Sequence, residues 1–140
     1  MVVDVERAAI TPQAAEILST KPIGYLGTVR PDGHLSVVPV AVIFDGRTVR
    51  ITTVKTTFKV RNLTRDARMT LCVPLADDPQ HYVEIRGVAT IADDADRSFV
   101  NAMARDWMGI DEYPYDQPGE ERVTITVHPE VVSMPRVHGI

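Results

Sequence analysis

The segment TTFKVRNLTRDAR, residues 56–68, concentrates positive charge in a chain whose formal net charge is −4. Its four cationic side chains are Lys59, Arg61, Arg65 and Arg68. The segment reads as a helix that follows a strand, so backbone N–H groups, the positive end of a helix dipole and cations would meet near its start. That combination binds phosphate-like anions. The alternative is a solvated basic face whose arginines pair with acids such as Asp66.

A helical wheel over this segment separates a polar quadrant from an apolar stripe. The quadrant consists of Thr57, Arg61, Arg65 and Arg68. The stripe consists of Val60, Leu63 and Ala67 and is expected to face the core. Lys59 and Asn62 then lie on the opposite flank of the stripe. The preceding residues, Thr52 and Thr53, would bring hydroxyl groups to the same point.

Other site chemistries have little support. Neither a G-x-x-x-x-G-K-[ST] nor a G-x-G-x-x-G motif occurs, and no G-x-S-x-G elbow is present. The four histidines, which lack metal-ligand spacing, are His34, His81, His128 and His138. Cys72 lies among apolar residues, as an inert core thiol would. We therefore predict no metal site and no catalytic residue, so that a bound cofactor would carry any redox chemistry.

Aromatic and sulfur-containing side chains gather in WMGIDEYPY, residues 107–115. The segment joins a proline-rich loop over 110–119 to the end of the predicted helix 93–109, on which Phe99, Met103 and Trp107 recur at four-residue spacing as an apolar stripe. Two interpretations remain open. The side chains could close the core, or they could form a wall that stacks on a flat ligand.

The chain has 140 residues, which predicts a single domain over 1–140. Its longest apolar run, residues 37–44, is less than half of a membrane span. A single cysteine and an acidic N-terminal region without a signal-peptide pattern favour a cytoplasmic protein. The mild acidity argues against binding of nucleic acid through bulk charge, and we expect no membrane partner.

Hydrophobic periodicity predicts helices alternating with groups of strands. Helices are expected over 11–20, where Thr11 can serve as the N-cap, and over 56–68 and 93–109. Strands are expected over 23–30, 34–44, 47–54, 67–75, 81–92 and 122–134. The pairs Asp32-Gly33 and Asp45-Gly46 predict tight hairpin turns. Pro39 and Pro129 predict an edge or a bulge. Short connections imply antiparallel pairing, and about six such strands suggest a small closed or partly closed barrel.

Three segments carry a family resemblance: PDGHLSVVPVAVIFDG, TTVKTTFKVRNLTRDAR and MGIDEYPYDQPGEERVTITVHPEVV. They resemble the split β-barrel flavin-binding superfamily typified by pyridoxamine 5′-phosphate oxidase, and most of all the actinobacterial branch that uses the deazaflavin coenzyme F420. The likeness runs from about residue 12 to residue 134. It implies a mainly β fold with α-helices, a six- to seven-stranded antiparallel split barrel of the FMN-binding type with flanking helices.

The resemblance also implies a homodimer with each cofactor in a groove between the subunits. The matched positions beside the tricyclic ring are Val38, Pro39 and Val40. Those near the ribityl chain and the phosphate are Thr52 and Thr53. Those that hold the phosphate are Thr57, Lys59 and Arg61, with Asn62 close by. Trp107 would approach from the neighbouring subunit.

The implied activity is that of an F420H2-dependent oxidoreductase, which transfers a hydride to an electron-poor conjugated small molecule. Two alternatives stand beside it: an FMN-binding oxidoreductase on the same fold, and a non-catalytic carrier of F420. Arg65 and Arg68 would favour F420 over FMN, since F420 bears an acidic oligoglutamate tail.

Overall fold

The computed structural model describes residues 8–135, and within them the chain forms three helices and seven strands. The helices are α1 (Pro12–Leu18), α2 (Phe58–Arg65) and α3 (Ser98–Met108). The strands are β1 (Ile23–Val29), β2 (Leu35–Ala41), β3 (Ile43–Phe44), β4 (Val49–Val54), β5 (Arg68–Leu75), β6 (Asp78–Asp93) and β7 (Arg122–Ser133). None of the helices in this part of the chain has the length and apolar character needed to cross a membrane.

The strands form one antiparallel sheet that curls into a barrel. Its order is β2-β1-β5-β6-β7-β4-β3, so β2 and β3 occupy opposite edges. Only Val42 separates these two strands along the chain, and the two edges must therefore lie close together. The predicted split barrel is confirmed.

The single strand predicted over 34–44 is wrong, since it breaks at Val42. Residues before the break pair with β1, whereas residues after it pair with β4. Val42 itself is 1% exposed, and its backbone N–H donates to the carbonyl oxygen of Pro22 at 3.0 Å. Tertiary packing at this corner overrides the continuous apolar pattern that predicted one strand.

Local turn and cap signals in the sequence are confirmed. Thr11 caps α1 by accepting a hydrogen bond from the N–H of Ala14 at 3.1 Å. The hairpin between β1 and β2 turns at Gly33, whose φ of +85° suits glycine. Each signal acts within a few residues, so it does not depend on how the rest of the chain packs.

The two proline predictions are also confirmed. Pro39 lies on β2, which is an edge strand. Pro129 lies at a β-bulge, where the register between β6 and β7 shifts beside Gly87. Both positions tolerate the missing N–H of proline.

Helix α3 begins later than the predicted 93–109. Its acids precede the first turn: the carboxylate of buried Asp94 accepts hydrogen bonds from the N–H groups of Phe99 at 3.1 Å and Val100 at 2.9 Å. Gly109 caps the C-terminus of the helix with φ of +70°, a conformation that suits glycine. The acids therefore cap the helix from outside rather than from within it.

The predicted apolar stripe of α3 is only partly buried. Phe99, Met103 and Trp107 are half-buried, whereas Val100 and Ala104 are fully buried. The helix is therefore rotated relative to the orientation that the four-residue spacing suggested. One side of this aromatic stripe remains accessible.

Inside the barrel, every long strand contributes branched apolar residues. Those 1% exposed or less include Leu26, Ile51, Leu71, Ile85 and Ile125. Helix α2 adds Val60 and Leu63 to the same core. This packing holds α2 rigidly at the end of β4, which positions its N-terminus.

Candidate functional site

The N-terminus of α2 lacks a side-chain cap. Thr57 occupies the N-cap position, but its hydroxyl donates to the carbonyl oxygen of Val54 at 3.0 Å and forms no cap hydrogen bond. The first turn of a helix has N–H groups without partners in the helix itself, and here no side chain of the cap residue accepts from them. The donors offered to an anion at this point are thus backbone N–H groups. Whether Thr57 also contacts a phosphate stays a prediction.

The predicted quadrant of four polar residues is wrong, because α2 ends at Arg65. Arg68 lies on β5 and forms an ion pair with Asp66, with Nη2 at 2.7 Å and Nε at 3.0 Å from its carboxylate oxygens. That contact lowers the pKa of Asp66 to about 2. Ala67, predicted to face the core, is exposed for the same reason.

Arg65 is also held by the protein. Its Nη2 donates to the carbonyl oxygen of Val29 on β1 and to the Oδ1 of Asn62, the latter at 3.2 Å. Two of the four cations, Arg65 and Arg68, are therefore engaged in the fold itself. For these two, the alternative of a structural basic face is the better description.

Lys59 and Arg61 differ from them, since within residues 8–135 neither side chain forms a hydrogen bond or an ion pair. Lys59 is half-buried, and its pKa is lowered first by burial and then by the charge of Arg122. Arg61 is exposed, with its guanidinium carbon 5.6 Å from the ring centroid of Phe58. A half-buried ammonium group without an acid is costly, and an anion beside the α2 N-terminus would stabilise it.

Two polar atoms on β4 lack hydrogen-bond partners. Thr52 Oγ1 and Arg50 Nε are both buried and have no hydrogen-bond partner within residues 8–135, and they lie on the same face of the strand. Thr53 points to the opposite face and is 6% exposed. Thr52 therefore fits its predicted place near a polar ligand chain better than Thr53, whose side chain lies toward the core.

Asn62 joins α2 to the barrel. It is 4% exposed, its Nδ2 donates to the Oγ1 of Thr28 at 3.1 Å, and its Oδ1 accepts from Arg65. These contacts orient the helix, so any effect of Asn62 on a ligand passes through the position of α2. Its placement beside the phosphate remains a prediction.

The β2 residues Val38, Pro39 and Val40 alternate between the two faces of the sheet. Val40 is 7% exposed and Val38 packs against the core, whereas Pro39 is exposed. Only the backbone and Pro39 are thus available to a ring that lies outside the barrel. The prediction that this strand borders a tricyclic ring is untested.

An exposed apolar surface covers the outer side of the β1–β2 hairpin. We call it the hairpin face, and it consists of Ile23, Tyr25, Leu35 and Val37, which are 48%, 45%, 73% and 63% exposed. Cross-strand pairing places Tyr25 opposite Pro39, which continues the same surface. Contiguous exposed apolar side chains of this kind mark interaction sites.

The loop that follows α3 is tied to the start of β7, the strand that pairs with the end of β4 just before α2. Asp116 accepts hydrogen bonds from Arg122 Nη2 at 2.6 Å and Nε at 2.8 Å, and from Arg97 Nη1 at 2.9 Å. The guanidinium of Arg122 also lies 4.5 Å from the ring centroid of Tyr113. The sequence analysis did not predict this cluster, because no spacing rule links Asp116, in a loop, to Arg97 and Arg122, which precede α3 and begin β7.

Trp107 lies on the last turn of α3 and is half-buried. Its predicted approach to a neighbouring subunit is not tested by a single chain. Among the described residues, no group of acidic, histidine or cysteine side chains could hold a metal ion. His138 lies outside the described residues.

Comparison with protein families matches residues 10–134 to the family described as pyridoxamine 5′-phosphate oxidase. Comparison with curated proteins gives no match. Among solved structures, an F420 reductase from Mycobacterium is 29% identical, with a TM-score of 0.73, and the match covers 84% of this chain and 94% of that one.

Two more distant structures share the fold. A pyridoxamine 5′-phosphate oxidase-related, FMN-binding protein from Nostoc punctiforme is 17% identical with a TM-score of 0.60, covering 87% of this chain and 83% of its own. A heme-binding protein from Mycobacterium smegmatis is 20% identical with a TM-score of 0.71, covering 96% of this chain and 57% of its own. Similarity at this level concerns the fold alone.

Proposed function

The chain belongs to the pyridoxamine 5′-phosphate oxidase family, and from this premise we propose that it is an F420H2-dependent reductase. It would bind coenzyme F420 and reduce an electron-poor conjugated small molecule. Similarity to an F420 reductase over 84% of the chain supports this cofactor. The observation that carries the proposal is the half-buried Lys59, which has no acidic partner in residues 8–135 and lies on the uncapped helix α2.

The residues at this point suit a phosphate group. Lys59 would donate to a phosphate oxygen, and the N–H groups of the first turn of α2 would donate to the others. Arg61 would add an exposed positive charge at the rim. The orphaned Oγ1 of Thr52 supplies a hydroxyl for the polar chain that links phosphate and ring.

Reduced F420 supplies a hydride when it is bound. The protein would hold the cofactor by its phosphate, orient a conjugated double bond over the ring, and exclude water from the cleft. Proximity of this kind is sufficient for large rate enhancements, which agrees with the lack of a recognisable acid–base or nucleophilic pair in the sequence.

We further propose that two copies of the chain form a homodimer with the cofactor groove between them. The hairpin face supports this, since its side chains would otherwise leave a contiguous apolar surface in water. A second copy suits the surface because β2 is an edge strand beside the proposed ring position. Trp107 would then reach the partner's groove from the accessible side of α3.

An FMN-binding oxidoreductase is the second candidate. Arg65 and Arg68 were expected to meet the acidic tail of F420, but both are engaged with groups of the protein. The remaining features, Lys59 and the α2 N-terminus, would bind a phosphate group, and both F420 and FMN contain one. A non-catalytic carrier of F420 would use the same features without turnover.

Titration of the protein with F420 and, separately, with FMN tests these candidates. The chain has one tryptophan, Trp107, so binding near the groove is expected to quench its fluorescence. Micromolar or tighter binding of F420, with weaker FMN binding and turnover of an enone, supports the reductase. Preference for FMN moves the protein to the second candidate, and binding without turnover of any conjugated substrate supports the carrier.

A further inference from the structure

The charge beside Lys59 depends on a buried ion pair. Arg122, at the first position of β7, has a side chain 7% exposed, and the side chain of its partner Asp116 is 9% exposed. Strand pairing sets Arg122 opposite Val54, where β4 ends just before α2. Arg122 is therefore a second cation beside the start of α2, and after burial its charge is the second cause that lowers the pKa of Lys59.

Asp116 determines how much of that charge a ligand meets. Its two carboxylate oxygens accept from Nε and Nη2 of Arg122, a bidentate arrangement that neutralises the guanidinium at short range. Its second partner, Arg97, has a side chain 33% exposed, so solvent screens the charge of that residue. Of Lys59, Arg97 and Arg122, only Lys59 forms no ion pair within residues 8–135, so it is the cation that a ligand would meet.

We propose that Asp116 is a specificity-determining residue: by neutralising Arg122 it adapts the anion site to a singly charged phosphodiester rather than a doubly charged phosphate monoester. A monoester carries close to two negative charges at pH 7, whereas a diester carries one. F420 contains a phosphodiester and FMN a monoester. The inference thus rests on the proposed function, because it assumes that a cofactor phosphate binds beside Lys59.

The test compares two ligands that share one ring, FMN and its monomethyl ester, a phosphodiester. Their dissociation constants are measured at pH 7.5 for the wild type, Asp116→Asn, Arg122→Gln and the double variant that carries both. Asp116→Asn adds one positive charge to the site, Arg122→Gln removes one, and the double variant restores the balance. Circular dichroism and thermal unfolding establish that each variant is folded.

The wild type is expected to bind the methyl ester at least as tightly as FMN. Asp116→Asn is expected to shift the ratio of the two constants about tenfold toward FMN, and Arg122→Gln to shift it in the opposite direction. The double variant is expected to return to within about threefold of the wild-type ratio. A merely structural role for the pair would weaken both ligands alike in all three variants.

The inference is overturned if the ratio stays constant across folded variants, or if the wild type prefers FMN to its ester by tenfold or more. If the wild type binds F420 but not FMN, Asp116→Asn is expected to gain FMN binding, and failure to gain it also overturns the inference. Failure of the wild type to bind F420 refutes the proposed F420H2-dependent reductase, and failure to bind F420, FMN and the ester refutes the phosphate site itself. Binding with an unchanged ratio refutes only the role of Asp116.

Discussion

Removal of Lys59 and Arg61 together is the most direct perturbation of the proposed anion site. A hydrogen bond to a charged group contributes about 1.5–3 kcal/mol. Lys59 is half-buried and keeps that value, whereas Arg61 is exposed and adds little. At about 1.4 kcal/mol per factor of ten, the double variant Lys59→Ala, Arg61→Ala should weaken cofactor binding at least about tenfold and at most about a few hundredfold.

The same helix region provides a charge-matched control. Arg65→Ala with Arg68→Ala also removes two cations, but both side chains already have partners in the protein. Isothermal titration calorimetry with F420, at one temperature and ionic strength, should show a change of less than about threefold for this control, since long-range charge alone is screened by salt.

Two results would refute the reasoning. Unchanged affinity of the Lys59 and Arg61 variant would remove the phosphate assignment. Equal weakening by both double variants would mean that net charge, rather than the geometry at the start of α2, attracts the cofactor. Repeating the control with FMN, which has no glutamate tail, separates a contact to that tail from a general charge effect.

The remaining predictions concern assembly, acid stability and the bulge in the barrel. Val37→Glu should convert a homodimer to a monomer in light scattering at micromolar concentration, and a wild type that is already monomeric would contradict the dimer. Hydrogen bonds from Arg122 hold the pKa of Asp116 below its ordinary value. The ionised carboxylate therefore stabilises the fold above the pKa of the unfolded chain, about 3.9. That contribution is lost as the pH falls through the lower pKa of the folded protein. Urea unfolding should accordingly show a gap between the wild type and Asp116→Asn that is steady from pH 7 to about pH 5 and shrinks below about pH 4; a gap that persists to pH 2 would speak against this linkage. Gly87→Ala should lower the free energy of unfolding by about 2–3 kcal/mol, since the added Cβ would lie 2.1 Å from the backbone oxygen of His128. Gly27→Ala is the control and should cost clearly less, because the atom nearest to its added Cβ lies at 3.5 Å.

Much of the fold was predictable, because its signals are local. The Thr11 cap, the Gly33 turn and the period of two along the strands depend on near neighbours and appear in the structure as expected. The break at Val42 was not predictable in this way. It exists because β2 pairs with β1 while β4 pairs with β7, at the other edge of the curled sheet, and no residue near Val42 encodes that pairing with the distant strand β7.

For the candidate site, too, the sequence predicted the local features and not the long-range contacts. The sequence identified the basic segment and the strand before it, and it resembled the correct family. The helical wheel placed the four cations of that segment but contained no information on their partners. Only the folded chain separates them. Arg65 bonds to β1 and Arg68 to Asp66, whereas the side chains of Lys59 and Arg61 form no hydrogen bond or ion pair within residues 8–135.

Asp116 and Arg122 mark the limit of sequence reasoning most clearly. Cap, turn and strand propensities act over a few residues, so local sequence decided the elements and their order. The charge presented to a ligand is a sum over groups brought together in space, and a buried carboxylate can cancel a nearby arginine without any motif. Barrel closure and the loop after α3 bring these charged groups together and so determine the net charge at the site. Tertiary structure alone therefore decided which cations a cofactor would meet.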